Sequence, residues 1–149
     1  MSSEKKLALV TGGNRGIGLA IANKLKNDGF LVVVGHRSGT APAGFESVLL
    51  DVSNTESVDA AIGEIEAKFG IIDVMVANAG VTNDGLVLRM SESDFSEVIN
   101  TNLTGAFRVA KACSKGMLKK RSGKLIFVGS VVGLLGSAGQ VNYAASKSG

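Results

Sequence analysis

Short runs of consecutive apolar residues alternate along the chain with longer segments in which apolar residues recur every three or four positions. A short apolar run bounded by turn residues is typical of a strand buried on both faces, as in a parallel sheet. Five runs predict strands, at residues 7–10, 30–34, 48–52, 74–77 and 125–128.

The segments between these runs have helical spacing. The first helix carries Ile17, Ala20, Ile21 and Leu25 on one face and closes at Asp28-Gly29. A second follows the cap residues Ser53-Asn54-Thr55, and its apolar face is Val58, Ala61, Ile62, Ile65 and Phe69. One long helical region is predicted from about residue 91 to 120, with Ser91-Glu92-Ser93-Asp94 as its cap, and another helix begins at Val141.

This β-α-β alternation predicts an α/β fold, a parallel sheet with helices on both sides. The length of 149 residues fits one domain, 1–149. Two turn-rich loops, 37–44 and 80–90, follow strands and therefore lie at the sheet edge where open parallel sheets bind ligands.

Composition excludes several classes of protein. A hydrophobic share of 45% against 19% charged residues is that of a globular chain. The net charge is only +3, the basic residues are spread along the chain, and there is no tryptophan. These features argue against nucleic-acid binding. Cys113 is the only cysteine, which excludes an internal disulfide, fits the cytoplasm, and is expected to be buried rather than nucleophilic. The sequence shows no signal peptide and no run of 18 apolar residues, so no membrane span is expected. No metal site is expected either.

A glycine-rich turn follows the first strand, with the sequence Thr11-Gly12-Gly13-Asn14-Arg15-Gly16-Ile17-Gly18. Such a turn lets backbone N–H groups and a helix N-terminus approach a pyrophosphate. A purely structural turn is the alternative. The position between an apolar strand and an apolar-periodic helix favours a dinucleotide site.

The charges around this turn bear on the cofactor. A carboxylate at the end of the second strand selects a cofactor without a 2′-phosphate, whereas cations accept that phosphate. Here the strand is followed by His36 and Arg37, and Arg15 lies in the turn. This favours NADPH, although both arginines could be solvated loop charges. His36 could touch the phosphate or be an ordinary strand-end residue, and it is assigned no catalytic role.

Two further strand ends are candidate cofactor contacts. Asp51-Val52 could meet the adenine amino group, or Asp51 or Ser53 could cap the next helix. Asn78-Ala79-Gly80 is small enough for close approach of a ribose, although a simple turn has the same composition.

Three residues toward the C-terminus are candidates for acid–base chemistry. Tyr143 and Lys147 are spaced to share a helix face, and Ser130 follows the fifth strand. Reduction of a ketone needs a proton for the developing alkoxide. A tyrosine hydroxyl has an unperturbed pKa of about 10, and a neighbouring ammonium favours its phenolate. Ser130 could hydrogen-bond and orient the carbonyl oxygen. A Tyr-x-x-x-Lys pair alone could equally be part of an exposed helix.

The motifs together resemble the short-chain dehydrogenase/reductase family over the whole chain. They are the glycine turn, Asn78-Ala79-Gly80, Asn102, Ser130 and Tyr143-x-x-x-Lys147, in the family's order and spacing. The stretches 100–108, 129–133 and 139–147 are similar to 3-oxoacyl-[acyl-carrier-protein] reductases, and polyketide ketoreductases and other carbonyl reductases share much of them.

The resemblance implies a Rossmann-type doubly wound sheet of order 3-2-1-4-5. It implies that Tyr143 is the acid, that Lys147 makes it more acidic and holds the nicotinamide ribose, and that Ser130 polarises the carbonyl. Asn102 is expected where the long helix carries a water that links Lys147 to solvent. The implied reaction is NADPH-dependent reduction of a 3-oxoacyl thioester to the 3-hydroxyacyl product in fatty acid biosynthesis.

Further expectations concern partners and length. Lys119, Lys120 and Arg121 could dock an acidic acyl carrier protein or simply complement a helix C-terminus. Relatives form tetramers and continue well past Lys147, so the fold is expected to be truncated, with the fifth strand at an open apolar edge. Residues 1–149 alone are then expected to be inactive, or a fragment of a longer reductase.

Two other functions stay open at this level. One is a non-catalytic dinucleotide-binding module. The other is an S-adenosylmethionine methyltransferase, which also has a glycine turn after its first strand, but Arg15, Arg37 and the Ser-Tyr-Lys set count against it.

Overall fold

A computed structural model describes residues 5–149, and its centre is a sheet of five parallel strands. The strands are β1 (Leu7–Thr11), β2 (Leu31–His36), β3 (Glu46–Leu49), β4 (Val74–Ala77) and β5 (Lys124–Phe127). Their order across the sheet is β3-β2-β1-β4-β5, and each neighbouring pair is parallel. The predicted Rossmann-type α/β fold and strand order are confirmed.

The helices that connect the strands are α1 (Gly16–Asn27), α2 (Thr55–Phe69), α3 (Glu92–Ile99), α4 (Gly105–Lys120), α5 (Val132–Leu135) and α6 (Val141–Ser148). The prediction of one long helix from 91 to 120 is wrong in one respect. A π-helical turn at Asn100–Thr104 separates α3 from α4, and the Gly105 N–H bonds to the Asn100 carbonyl. Such widened turns recur at functional sites. The short helix α5 was not predicted.

Two hydrophobic cores lie on opposite faces of the sheet, because successive strand side chains point to opposite sides. Leu9, Val33 and Met75 belong to the core under α2 and α4, where Ile65 and Val109 join them. The opposite core, under α1, is built from Ala8, Val10, Ala22, Val32, Val34, Val74 and Val76. The sheet is therefore covered on both faces around β1, which fixes the ends of β1 and β4 as a rigid edge.

Strand ends differ from the sequence prediction where long-range pairing decides them. Gly35 and His36 extend β2 because they pair with Val48 and Leu49 of β3. The third strand is predicted at 48–52 but runs from Glu46 to Leu49, and Leu50 is buried while its N–H still bonds to the His36 carbonyl of β2 at 3.0 Å. Apolar runs report burial, and here burial continues past the strand.

Helix caps agree partly with the predictions. Asn54 is the N-cap of α2, and its side chain accepts the Ser57 N–H at 2.7 Å. The alternative that Asp51 or Ser53 caps this helix is therefore wrong. Ser91 and Asp94 form a capping box at the start of α3. Arg121 ends α4 in the left-handed conformation, with φ of 55°.

Asp73 fastens the sheet at the edge opposite the strands' carboxyl ends. Its carboxylate accepts the Leu7 N–H at 2.9 Å and the Lys120 ammonium at 2.6 Å, and its backbone carbonyl accepts the Lys124 N–H at 2.9 Å. Burial raises the pKa of this carboxyl, but the hydrogen bonds from Lys120 and Leu7 outweigh it and hold the pKa below its usual value. Asp73 therefore joins β1, β4, β5 and the end of α4 away from the ligand edge.

The far edge of the sheet is open. In the described part of the chain β5 pairs only with β4, and Leu125, Ile126 and Phe127 are 38%, 45% and 55% exposed. This agrees with the expected apolar edge at the fifth strand.

Candidate active site

The turn between β1 and α1 is possible because of its glycines. Gly12 and Gly16 have φ of 63° and 55°, which disfavour any residue with a Cβ. A Cβ at Gly18 would lie 2.3 Å from the Gly12 carbonyl oxygen, so no side chain fits where α1 meets the turn. The sharp turning predicted for these glycines is what the backbone shows, and their approach to a pyrophosphate stays a prediction.

The N-terminus of α1 has the features of an anion site. Arg15 is its N-cap but makes no side-chain cap hydrogen bond, and the first turn of α1 holds no acidic residue. The first N–H groups of a helix have no partner within the helix, and the helix dipole is positive there. A phosphate can take up these donors.

Thr11 and Asn78 join the ends of β1 and β4. The Thr11 hydroxyl oxygen accepts the N–H groups of Asn78 and Ala79, both at 3.0 Å, and donates to the Val76 carbonyl at 3.3 Å. The Asn78 amide donates to the Thr11 and Gly12 carbonyls, both at 3.1 Å. The glycine turn and the Asn78-Ala79-Gly80 turn are thus one rigid unit. The sequence places Thr11 in the glycine turn, but its link to the end of β4 was not predicted.

A cleft of about 660 Å³ runs along this edge of the sheet. Twelve of its lining residues are those predicted to bind cofactor, namely Gly12, Asn14, Arg15, Gly16, Ile17, Gly18, Arg37, Asp51, Val52, Asn78, Ala79 and Gly80. His36, which the sequence offers as a possible phosphate contact, also lines the cleft. The lining is completed by residues that were not named as contacts, namely Ser38, Gly39, Leu50, Val81 and Thr101. The structure therefore brings the dispersed cofactor motifs into one cavity.

One end of the cleft is basic. Arg15 and Arg37 both line it with exposed side chains, and the Asn14 amide donates to the Ser38 carbonyl at 3.2 Å, which draws the loop after β2 against the glycine turn. His36 is only 7% exposed, and its Nδ1 has no hydrogen-bond partner among the described residues. A buried polar atom without a partner is costly. This end of the cleft thus holds two exposed guanidinium groups and a buried imidazole nitrogen without a partner among the described residues.

The next part of the cleft holds Asp51. Its carboxylate accepts the Ser53 hydroxyl at 2.6 Å and the Ser53 N–H at 2.9 Å. The Ser53 hydroxyl bond lowers the pKa of this carboxyl against the opposing effect of burial, and Arg37 and Arg108 lower it further. Asp51 is thus an ionised acceptor, suited to the adenine amino group predicted for it.

Arg108 of α4 bonds to this segment from the side of the π-helical turn, a contact that was not predicted. Its guanidinium donates to the Val52 carbonyl at 3.2 Å and to the Asn100 side-chain oxygen at 2.8 Å. The wall of the cleft is therefore tied to the π-helical turn.

Tyr143 and Lys147 both lie on α6, near the carboxyl ends of β4 and β5. The Lys147 ammonium donates to the Val128 carbonyl at 2.8 Å and lies 5.8 Å from the centroid of the Tyr143 ring. Val128 N–H in turn bonds to Ala77, the residue before Asn78. Burial lowers the pKa of Lys147. Both residues are also predicted to contact the cofactor, but neither lines the 660 Å³ cleft. Lys147 is connected to the cleft wall through Val128 and Ala77, the neighbour of Asn78.

Ser130 lies between β5 and α5. Its hydroxyl oxygen accepts the Val132 N–H at 3.2 Å, and its carbonyl accepts the Gly133 N–H. The hydroxyl hydrogen is free for a carbonyl oxygen, since no acceptor for it occurs among the described residues. A Cβ at Gly133 would lie 2.7 Å from the Lys147 backbone carbon, so α5 and α6 are in backbone contact.

Asn102 lies in the π-helical turn and is 6% exposed. Its side chain accepts the Val81 N–H at 2.8 Å and donates to the Val81 carbonyl at 2.9 Å and the Ser146 hydroxyl at 3.0 Å. The side chain therefore joins the loop after β4 to α6. Its predicted role in a water link to Lys147 stays a prediction.

Sequence reasoning missed two buried polar residues of α6, Asn142 and Ser146, which are 0% and 3% exposed. Their signal is a polar pair at i, i+4, on the face adjacent to that of Tyr143 and Lys147. Both bond to elements that line or border the cleft.

The basic cluster at the end of α4 is divided by the structure. Lys120 is engaged with Asp73, whereas Lys119 and Arg121 are exposed. Cys113 lies inside α4, and its burial raises the pKa of its thiol to about 12, so it is no nucleophile. Among residues 5–149, no three or more His, Cys, Asp or Glu side chains are grouped to hold a metal ion. The same residues include no helix that is both long and apolar enough to cross a membrane.

Comparison with known proteins identifies the family. The family model of the short chain dehydrogenases matches residues 6–149. The chain is 50% identical over 141 residues to the 3-oxoacyl-[acyl-carrier-protein] reductase MabA of Mycobacterium avium, covering 95% of this chain and 55% of the relative. It is 51% identical over 141 residues to MabA of Mycobacterium tuberculosis, covering 95% and 57%. It is 45% identical over 160 residues to the 3-oxoacyl-[acyl-carrier-protein] reductase FabG of Vibrio cholerae, covering 100% and 64%. The chain thus spans between 55% and 64% of the length of these relatives.

Proposed function

The chain belongs to the short chain dehydrogenase family, and we propose that it carries the cofactor site and the acid–base residues of an NADPH-dependent ketoreductase. The proposed substrate is a 3-oxoacyl thioester of the acyl-carrier-protein type, reduced to the 3-hydroxyacyl product in fatty acid biosynthesis. The main support is one arrangement: the Lys147 ammonium, beside Tyr143, is bonded to Val128, which pairs with the strand that ends at the cleft. The names of the relatives support the substrate class.

The basic end of the cleft supports NADPH as the cofactor. Arg15 and Arg37 line it, and the buried Nδ1 of His36 has no partner in the described chain. A guanidinium binds phosphate through paired hydrogen bonds, and no carboxylate ends β2. The α1 N-terminus would hold the pyrophosphate, Asp51 the adenine, and Asn78-Ala79-Gly80 the ribose.

The chemistry follows from α6 and the end of β5. NADPH, when bound, supplies a hydride. Tyr143 would donate its hydroxyl proton to the carbonyl oxygen, and Lys147 would stabilise the resulting phenolate by its charge. The Ser130 hydroxyl would hydrogen-bond the same oxygen and stabilise the negative charge that develops there. We propose that Asn102 holds α6 in place and supports the water that links Lys147 to solvent.

Partners follow from the same assignment. Lys119 and Arg121 are the cations available to an acidic carrier protein, because the ammonium of Lys120 is occupied by Asp73. From the family resemblance we also propose that the protein is a cytoplasmic homotetramer and that residues 1–149 form its cofactor-binding part.

The test is oxidation of NADPH, followed by its absorbance, by the natural protein that contains this chain with an acetoacetyl thioester as substrate. Tyr143→Phe should abolish turnover and keep NADPH binding, since the change removes only the hydroxyl. Turnover of simple ketones but not of the thioester would indicate another carbonyl or polyketide reductase. Cofactor binding without any turnover would indicate a non-catalytic module.

The cofactor assignment has its own test. Arg15→Ala with Arg37→Ala should weaken NADPH binding about tenfold or more, since a hydrogen bond to a charged group contributes roughly 1.5–3 kcal/mol. NADH binding should change little. Arg89→Ala, at an exposed arginine outside the cleft, is the matched control. Equal loss of both cofactors in the double variant would contradict selection by phosphate.

A further inference from the structure

We infer that Asn142 is a positioning residue for Tyr143, and this rests on the proposed function of Tyr143 as the acid. Asn142 is fully buried, at 0% exposure, one residue before the tyrosine. A buried primary amide without partners would cost several kcal/mol, of the order given by apolar transfer. Its contacts therefore show what holds it there.

All the polar atoms of the Asn142 side chain are used. Its Nδ2 donates to the Asn83 carbonyl at 2.8 Å and to the Asp94 carbonyl at 3.3 Å. Its Oδ1 accepts the backbone N–H of Tyr143 at 2.8 Å. One side chain thus joins the loop after β4, helix α3 and the backbone of the tyrosine itself.

The hydrogen bond from the Tyr143 N–H to the Asn142 side chain matters because Tyr143 is in the first turn of α6, where N–H groups have no partner within the helix. Gln140, the N-cap, makes no side-chain cap bond, and the first helical bond is from Ala144 N–H to the Gln140 carbonyl. Asn142 therefore supplies the hydrogen bond that fixes the peptide from which the Tyr143 side chain projects.

The loop that Asn142 holds also borders the cofactor cleft. Val81 lines the cleft and is held by Asn102, and Asn83 follows two residues later. Asn102 and Asn142 thus bind the same short segment, and each also binds α6, one through Ser146 and the other through Tyr143. This pair therefore sets the position of α6 relative to the cleft, and Asn142 is the member that bonds to the backbone of Tyr143.

The experiment compares Asn142→Ala with Gln140→Ala in the natural protein that contains this chain. Gln140 is a matched control, since its side chain donates to Asp84 in the same loop, at 3.1 Å to each oxygen, but does not touch the Tyr143 backbone. Asn142→Ala should lower kcat by up to about 10²-fold, the scale set by a 1 Å misplacement of a reacting group. The affinity for NADPH should stay within a few fold, and Gln140→Ala should keep its kcat.

A merely structural role would lower the active fraction and leave the kinetics of the remainder unchanged. The deciding readout is therefore the kinetic isotope effect with NADPH deuterated at the transferred position, which should rise in Asn142→Ala as the chemical step becomes slower. An isotope effect and a kcat equal to those of the wild type in a folded Asn142→Ala protein would overturn the inference.

A second readout does not need turnover. Amide hydrogen exchange at the start of α6 should become faster in Asn142→Ala and not in Gln140→Ala. If the wild type reduces no thioester, the proposed function fails while this exchange comparison still tests the hold on Tyr143. Asn142→Ser is a second variant, for use if Asn142→Ala does not fold. Failure of both variants to fold would assign Asn142 a structural role alone and overturn the inference.

Discussion

The substitution Thr11→Val tests whether the link between β1 and β4 holds the cofactor cleft together. Valine has nearly the shape of threonine, so the change removes the hydroxyl and keeps the packing. Thr11 is 1% exposed, and its hydroxyl serves the N–H groups of Asn78 and Ala79 and the carbonyl of Val76. The variant leaves all three groups without this partner.

The expected loss follows from those three bonds. An unsatisfied buried donor or acceptor costs about 1–3 kcal/mol. Asn78 and Ala79 are only partly buried, and the bond to Val76 is long at 3.3 Å. The cost of each lost bond is therefore taken at the lower end of that range. The sum is roughly 2–4 kcal/mol of unfolding free energy. Thr11→Ser keeps the hydroxyl and loses one methyl group, at about 0.8 kcal/mol.

The assay is urea unfolding of wild type, Thr11→Val and Thr11→Ser in the natural protein at equal protein concentration, since assembly makes stability depend on concentration. NADPH fluorescence titration follows cofactor affinity, which should fall in Thr11→Val because Asn78-Ala79-Gly80 is no longer held. A Thr11→Val protein as stable as Thr11→Ser, with the same NADPH affinity, would refute the reasoning.

Three more substitutions have definite expected outcomes. Gly18→Ala places a Cβ 2.3 Å from the Gly12 carbonyl oxygen, so we expect a loss of about 1–3 kcal/mol and NADPH binding weakened more than tenfold, measured by melting and fluorescence titration. Asp73→Asn removes a carboxylate whose pKa is lowered by Lys120, and such a group stabilises the fold above its unfolded pKa and loses that effect as pH falls through the folded value. Melting temperatures between about pH 7 and 2 should therefore converge for wild type and variant at low pH. Lys147→Met removes an ammonium whose desolvation lowers its pKa and opposes folding, but it also removes the hydrogen bond to the Val128 carbonyl. Because these effects oppose each other, the melting temperature should change little, whereas turnover of the thioester, followed by NADPH absorbance, should be lost.

The fold was predictable because its signals are local. Apolar runs gave the strands, and glycine turns between a strand and a periodic helix gave the cofactor edge. The same local signals identified twelve of the eighteen residues that line the cleft. The π-helical turn was not predictable, because it accompanies the contacts of Asn102 with Val81 and Ser146, which are 21 and 44 residues away in sequence.

Polar residues that act over long range were the ones missed. Thr11 bonds to residues 67 and 68 positions away, and Asn142 to one 59 positions away. A threonine at a strand end and an asparagine before a tyrosine have many uses, and their partners are defined only when the strands are in order. His36 is a possible phosphate contact from the sequence, but its burial results from the extension of β2 opposite β3, which hydrophobic periodicity does not predict.

On helix α6, the residues proposed for the chemistry and the residues that hold the helix in place lie on adjacent faces. Tyr143 and Lys147 form one i, i+4 pair, and Asn142 and Ser146 form the adjacent one. The second pair is almost fully buried: Asn142 bonds to the loop after β4, and Ser146 bonds to Asn102 of the π-helical turn. The first pair is partly exposed, as its proposed role requires. Because buried hydrogen bonds have strict geometry, the inner pair limits where the outer pair can lie. The motif that predicts the chemistry is therefore placed by two residues that take no part in it.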